Sequence, residues 1–427
     1  MKFTTTTAFA LVAAATAVPS TAQNYGAQNE QRQRAEAEQA QQQQQQQVPP
    51  GQNAQVVKPS GKAMKAIVDL QTAVNKNDTA NIPAKVAAAQ AVATTKEDRY
   101  LIGQLQLKAA LAAKDNAATA AAIDNVAASG YLDAAKTAEL YVSLGSTMYN
   151  NKQYPQAVAA FQKAAAADPR NPEATSLLGE ALFAQGQKAE AASAFQRAVQ
   201  ARVAAGQKPD EALIKRAVGV AYEAQSPAAV ELARQWVAAY PSAASWGDAI
   251  AIYRNLNHPD VEGTLDLLRL MQATGALNDP GEYGLFARAA AEQNNFNEAQ
   301  AVLDAGIAAK VVNPTSADFR DLVNGLKTKP KATAADLAAA TKSAQSGMAL
   351  LRIGDRYYAM GDYAKAVELY KMSMGKPGVD TAVANLHIGM ALARAGDKAG
   401  ATTALNAVTG PRADIAKFWL AYLNQKG

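Results

Sequence analysis

The sequence predicts an all-α fold: an α-solenoid of stacked antiparallel helix pairs behind a disordered, glutamine-rich N-terminal tail. Three observations predict it. Leu144, Gly145, Ala157, Phe161 and Ala164 recur 34 residues later as Leu178, Gly179, Ala191, Phe195 and Ala198, and a fixed period of that length marks a repeat architecture. Within one copy, Tyr141, Leu144 and Met148 fall on helical offsets, as do Val158, Phe161 and Ala165 in the next run. The 427 residues are 49% hydrophobic but only 6% aromatic. Much of the apolar content is alanine, which favours tightly packed helices. The length suits two or three globular domains or one long solenoid.

Met1 to Ala22 reads as a secretory signal peptide. Lys2 supplies the positive start, and Ala8 to Val18 is an apolar core too short to span a bilayer. Ser20-Thr21-Ala22 is a small-residue cleavage site, placing the mature start at Gln23. No later stretch reaches ~18 continuous apolar residues, so no transmembrane segment is expected. Residues 23–59 form a low-complexity tail in which Gln41 to Gln47 is unbroken glutamine and Pro49-Pro50-Gly51 ends the run. Between Gln31 and Gln47 the only apolar side chains are Ala35, Ala37 and Ala40. That leaves no coiled-coil seam, and the segment is a tether or a stretch that orders on a partner.

Residues 60–137 read as degenerate helical repeats: Met64 to Val74 with Ile82 to Val92, then Tyr100 to Leu111 with Ala117 to Val126. Gly103 stands where a repeat glycine would sit. Residues 138–205 are the clearest pair of copies. Gly145 and Ala157 let the two helices approach, Phe161 is expected to fill the space between one pair and the next, Asn150 and Asn151 suit the turn, and Pro169 the break.

Residues 206–346 hold divergent units. These are Val218-Gly219 with Tyr222 and Ala229; Trp246 and Tyr253 with Leu265, Leu267 and Leu268; and Tyr283, Phe286 and Ala287 with Ala299 and Leu303. Thr315 to Ala344, around Lys327 to Lys331, has the length of a unit without its signature. Residues 347–411 restore the pattern with Ile353-Gly354, Tyr357, Ala366 and Tyr370, then Ile388-Gly389, Leu392, Ala401 and Leu405. Residues 412–427 give one last amphipathic helix, expected to cap the stack.

Charge and chemistry are uneventful by comparison. The net charge of +5 is small and scattered. Nucleic-acid binding would need a clustered basic stripe with aromatics beside it, so no nucleic acid is expected as a partner. The absence of cysteine excludes disulfides, thiolate catalysis and Cys-ligated zinc. There is no phosphate-cradling loop, no His-Glu-x-x-His and no calcium loop. His258 lies in a turn sequence and His387 on a predicted helix, neither in a nucleophile motif. No catalytic, cofactor-binding or metal-ligating residue is assigned, and no cofactor is expected.

The Leu-Gly, Ala, Phe and Pro pattern and its 34-residue echo resemble the tetratricopeptide repeat family. The resemblance implies a right-handed superhelix of about ten helix pairs, whose first helices line a concave groove that holds a protein or peptide. Carried over copy by copy, it implies a partner-binding surface of Ser146, Tyr149 and Asn150; Ser176, Glu180 and Phe183; Arg254, Asn255 and Arg288; and Asp355 and Tyr358. The family's clamp for C-terminal carboxylates needs lysine and asparagine where this chain has Val142 and Ser146, so that ligand is not expected.

With the export signal, the resemblance implies a non-enzymatic scaffold in a bacterial periplasm, in cell-envelope assembly or export. The alternative is a glycan-binding accessory or an enzyme of polysaccharide or cell-wall metabolism. It would use Trp236, Trp246 or Trp419 as platforms, places that packing inside the repeats explains better.

Overall fold

The computed structural model describes residues 57–425. The signal-peptide reading of Met1–Ala22 and nearly all of the glutamine-rich tail lie outside the described residues. The described residues contain 21 α-helices and no strand. They fall into two compact units that divide after Asp133.

The first unit holds α1 (Met64–Asn75), α2 (Ile82–Val92), α3 (Lys96–Ala112) and α4 (Asn116–Ala128). Ile67, Leu70 and Val74 recur at helical spacing on α1 and pack with Ala63, Ala89 and Ile102. Gly103 is needed where α3 meets α4: a Cβ there would stand 2.8 Å from the Val126 side chain. Thr95 and Asp98 form a capping box at the start of α3. The Asp98 carboxylate also accepts from Ser60 N (2.7 Å), Ser60 Oγ (2.8 Å), Thr94 N (3.0 Å) and Thr95 N (3.1 Å). Burial works to raise its pKa, but these bonds outweigh it and hold the group at about 2.

The second unit runs from α5 (Ala134–Asn150) and α6 (Tyr154–Ala167) through α7 (Pro172–Ala184), α8 (Lys188–Ala204), α9 (Glu211–Glu223) and α10 (Ala228–Ala239). It continues with α11 (Ala243–Asn257), α12 (Val261–Thr274), α13 (Pro280–Glu292), α14 (Phe296–Ala308), α15 (Ala317–Lys327) and α16 (Ala334–Ser343). It ends with α17 (Gly347–Ala359), α18 (Tyr363–Met374), α19 (Thr381–Ala395), α20 (Lys398–Asn406) and α21 (Ala413–Gln425).

The four clear copies share one contact. A Cβ on Gly145 would lie 2.6 Å from the Phe161 ring, on Gly179 2.9 Å from Phe195, on Gly354 2.5 Å from Tyr370 and on Gly389 2.5 Å from Leu405. The large residue of the second helix therefore seats on the glycine of its own pair; at Phe195 the same ring also reaches the following pair, 5.7 Å from the Arg216 guanidinium. The turn inside the first clear pair holds Asn151 and Lys152; its left-handed position is Lys152 at φ 60°, whose counterpart 34 positions on is Gly186 at φ 84°. Trp236, Trp246 and Trp419 are all buried, as packing inside the repeats requires.

The pairs do not stack evenly to the end of the chain. Every residue of α12 from Leu265 to Met271 is buried, Asp266 and Arg269 included. On α19 every residue from Leu386 to Ala391 is buried. A helix buried on all sides needs neighbours on all sides. For α12 these are α11, α13 and α21, because the C-terminal repeats pack back onto the middle of the unit.

Helix α14 meets α17 directly, so α15 and α16 form an excursion rather than a layer between them. The excursion is tied down where Asn297 donates to Ala332 O and accepts from Ala332 N, each at 3.0 Å. The last helix, α21, packs on α19 and α20 but also on α10 and α12. Its Phe418 meets Tyr253 edge-on at 5.8 Å, and Gln425 accepts from Trp246 Nε1 at 3.2 Å and donates to Val237 O at 2.8 Å. The apolar face expected only to cap the stack is thus covered by the chain's own middle. No helix among the described residues is long and apolar enough to cross a membrane.

Two outcomes follow from these contacts. Phe161→Ala should cost ~3–5 kcal/mol and Gly145→Ala ~1–3 kcal/mol. The double variant should cost less than their sum, because the added methyl enters the space the ring vacates. Denaturant unfolding of the three variants checks this, and strict additivity would refute the contact. In the first unit, Asp98 has its folded pKa below its ordinary value. Its stabilisation is therefore complete above about pH 4 and disappears as pH falls through about 2. Hydrogen exchange in α1 and α3 should accelerate over that window, and Asp98→Asn should remove the acid dependence.

Candidate functional site

The expected surface residues separate into an open row and a buried node. The row runs along α5, α7, α9, α11 and α13. Tyr149, half-buried on α5, meets Tyr154 edge-on at 5.5 Å. Burial raises its hydroxyl pKa, and the Glu180 carboxylate and Tyr154 add to that. Glu180 on α7 accepts two bonds from Arg216 of α9, Nε to Oε1 at 2.8 Å and Nη2 to Oε2 at 2.7 Å. The same guanidinium lies over the Phe183 ring at 4.4 Å.

Further along, Asn255 Nδ2 donates to Tyr222 Oη at 3.0 Å, and Arg254 Nη1 donates to both Glu282 carboxylate oxygens at 2.9 and 2.7 Å. Arg288 is exposed and its Nη2 donates to Asp318 O at 3.3 Å. Ser176 donates to Pro172 O at 2.8 Å within its own helix, Ser146 is half-buried, and Asn150 is exposed. The structure thus brings Tyr149, Glu180 and Phe183 together around Arg216, a residue the sequence reading did not single out. The available signal was an opposite charge one repeat along: Glu180 and Arg216 are 36 residues apart.

Asp355 and Tyr358 are the corrections. Both occupy the register expected of them, but neither is open to a partner: they are 4% and 8% exposed. Arg269 of α12 covers them, its guanidinium 5.2 Å from the Tyr358 ring and 4.0 Å from Asp355 Oδ1. The arrangement repeats the one on α7. Glu180 and Phe183 stand one and four places after Gly179, Asp355 and Tyr358 one and four places after Gly354, and each pair holds an arginine. Tyr358 meets Tyr363 edge-on at 5.3 Å, as Tyr149 meets Tyr154.

Around Arg269 the structure assembles a buried ionic node. Arg269 Nε and Nη2 donate to Glu298 of α14 at 2.7 and 2.8 Å, and Nη1 to Asp266 at 3.2 Å. His387 of α19 sits between two carboxylates. Its Nε2 is 3.1 Å from Asp266 Oδ1, and its Nδ1 is 2.9 Å from Asp355 Oδ1, an ion-pair distance without hydrogen-bond geometry.

Tyr370 Oη donates to Asp355 Oδ1 at 3.0 Å. At the rim Arg352 pairs with Glu262 at 2.9 Å, and Arg412 pairs with Asp260 at 2.8 Å. Burial works to lower the His387 pKa, but the Asp266 and Asp355 carboxylates outweigh it and push it up to about 10. Burial likewise works to raise Asp355, and the His387 and Arg269 cations hold it well below the carboxylate range.

A histidine between two aspartates invites comparison with acid–base sites, but this one is 1% exposed. Among the described residues, neither of two clefts is lined by a node residue. One, of about 320 Å³, lies between α10 and α21; the other, of about 210 Å³, lies in the first unit. The node ties helices together.

Residues 142–203 match the sequence profile of a family described as tetratricopeptide repeat. Among solved structures, the chain is similar to one described as Naa15/Naa10 bound to HypK-THB, at 15% identity over 63% of this chain and 36% of that one, with a TM-score of 0.27. It is similar to the P58(IPK) TPR domain at 13% identity over 79% and 99%, with a TM-score of 0.19. It is also similar to the pentatricopeptide repeat protein PPR10 from maize at 13% identity over 84% and 57%, with a TM-score of 0.24. A search of curated proteins finds no match to the chain.

The two kinds of ion pair should respond differently to removal of the arginine. Arg269→Met leaves three buried carboxylates short of a cation and should cost ~3–5 kcal/mol. Arg254→Met, in a part-exposed pair, should cost under ~1 kcal/mol. Chemical denaturation distinguishes them, and equal losses would refute the contrast.

Proposed function

We propose that the protein is a non-enzymatic scaffold that holds a protein or peptide partner along the row from Tyr149 to Asn255, acting in a bacterial periplasm in cell-envelope assembly or export. The observation that carries this is the row itself. Consecutive first helices present half-exposed aromatic rings, amides and guanidinium groups next to one another, inside and beyond the segment that matches the tetratricopeptide repeat profile. Repeats of this kind suggest a protein-binding scaffold. The export half of the proposal rests on Lys2, the Ala8 to Val18 run and Ser20-Thr21-Ala22.

The row has the composition of a binding surface. Tyr149 and Phe183 offer large, rigid contact area, and Arg216 is already oriented by Glu180, so little side-chain freedom remains to be lost on binding. The glycan reading would need aromatic platforms, and the three tryptophans that could supply them are at most 5% exposed. That favours a polypeptide ligand.

In-cell crosslinking and identification of captured proteins tests the proposal. Tyr149→Ala and Phe183→Ala should each reduce capture of the partner about tenfold or more, as loss of an interface anchor does. Neither should lower thermal stability as Phe161→Ala does. Unchanged capture in both variants would refute the row as the binding surface. A mature N-terminus other than Gln23, or retention of the protein in the cytoplasm, would refute the export half.

A further inference from the structure

The closure of the C-terminal repeats onto α12 reuses the geometry of the open row. On α7 a carboxylate and an aromatic ring, one and four places after the repeat glycine, hold Arg216; on α17 the equivalent Asp355 and Tyr358 hold Arg269. The first case joins neighbouring repeats. The second joins α17 to a helix more than eighty positions earlier in the chain. Helix α12 therefore stands where a ligand of the α17 face would stand.

We propose that α17–α21 close reversibly over α10–α14, with α12 occupying the α17 recognition face in cis, and that the proton on the His387 ring holds this closure. The ring geometry is the first argument. Both ring nitrogens face carboxylate oxygens, at 3.1 Å and 2.9 Å. A carboxylate only accepts, so Nε2 must carry hydrogen to bond Asp266. Nδ1 makes no hydrogen bond to Asp355, but at 2.9 Å the two attract only while the ring is a cation. Since Asp266 belongs to α12 and Asp355 to α17, the proton joins the two sides of the closure.

Charge count is the second argument. The groups facing the ring are Asp266 and Arg269 from α12, Glu298 from α14, Arg352, Asp355 and Tyr358 from α17, and Tyr370 from α18, with Glu262, Asp260 and Arg412 at the rim. Five carboxylates face three arginines and the histidine. Asp260 is open to solvent, so the enclosed groups are close to neutral while the ring is charged, and loss of its proton leaves Asp266, Glu298 and Asp355, all nearly buried, with one cation fewer.

The sign follows from the folded pKa of His387, which is about 10 and above its ordinary 6.5. The contribution to closure is complete below about pH 6.5 and is lost as pH rises through about 10, by up to about tenfold per pH unit. On opening, Phe418 leaves its seat against Trp246 and Tyr253.

Hydrogen exchange on the full chain tests this, with protection factors corrected for intrinsic rates and compared at pH 6 and pH 9. Helices α17, α19 and α21 should lose protection by up to about three hundredfold, while α5–α8 hold theirs. In parallel, ring NMR reads the His387 proton directly in the wild-type chain, where His258 gives the only other histidine signal. The His387 ring should titrate over the same range in which protection falls, and His387→Gln should abolish the pH slope. Three results would overturn the proposal: protection independent of pH, equal loss in α5–α8, or a His387 titration with no change in protection.

Discussion

The repeats rest on the contact between a glycine of the first helix and a large side chain of the second. Gly145 under Phe161, Gly179 under Phe195, Gly354 under Tyr370 and Gly389 under Leu405 leave no room for a Cβ. The missing methyl lets the two helix backbones approach, and the ring or branched chain fills the resulting notch. That contact fixes the rotation of each first helix about its axis. Once the glycine faces its partner helix, the residues one and four places later share a face of their own, since i+1 and i+4 are three apart on a helix. The row on α5 and α7 and the node on α17 both consist of those positions.

The node shows what those positions do when another helix covers them. Taking five carboxylates, three arginines and a histidine into or near the interior costs desolvation that apolar residues of the same size would not. Mutual attraction and hydrogen bonds offset that cost only if the partners are correctly placed. Correct placement is therefore a condition for the node to stabilise the packing of the C-terminal repeats at all. An apolar α12 would fit many helix faces, whereas Asp266 and Arg269 fit one that offers Glu298, Asp355 and His387. The contacts of α21 with Trp246, Tyr253 and Val237 supply the apolar part of the same interface.

What the sequence made legible and what it did not divides along these lines. The helix pairs and the repeat glycines depend on contacts within about one period, and periodicity encodes such contacts. Closure depends on pairs such as His387 with Asp266, 121 residues apart, and Trp246 with Gln425, 179 apart. No period relates them. In isolation, Leu265-Asp266-Leu267-Leu268-Arg269-Leu270 reads as an ordinary amphipathic helix with two solvated charges. For the same reason Asp355 and Tyr358 were placed correctly by register yet assigned to an open groove. Sequence gives the face a residue occupies within its repeat but not whether a distant helix covers that face. For Phe161, period places the ring on the second helix, and the coordinates add its seat on Gly145 within the pair.

The contrast between row and node also bears on what a partner meets. Along the row from Tyr149 to Asn255 the arginines are matched, Arg216 with Glu180 and Arg254 with Glu282, each through two short bonds. A ligand that relied on either charge would have to displace an existing partner and would gain only the difference between two similar pairs. On the proposed reading, a partner would meet the exposed parts of the Tyr149 and Phe183 rings, the latter already covered on one side by Arg216, and polar groups such as Asn150 that are open to solvent. Recognition through such groups depends on shape and apolar contact, so it is little steered by long-range charge and little weakened by salt. The small, scattered net charge of the whole chain is consistent with that. The repeat has one set of positions that can hold an arginine, and the chain has filled them with its own in both copies where they occur.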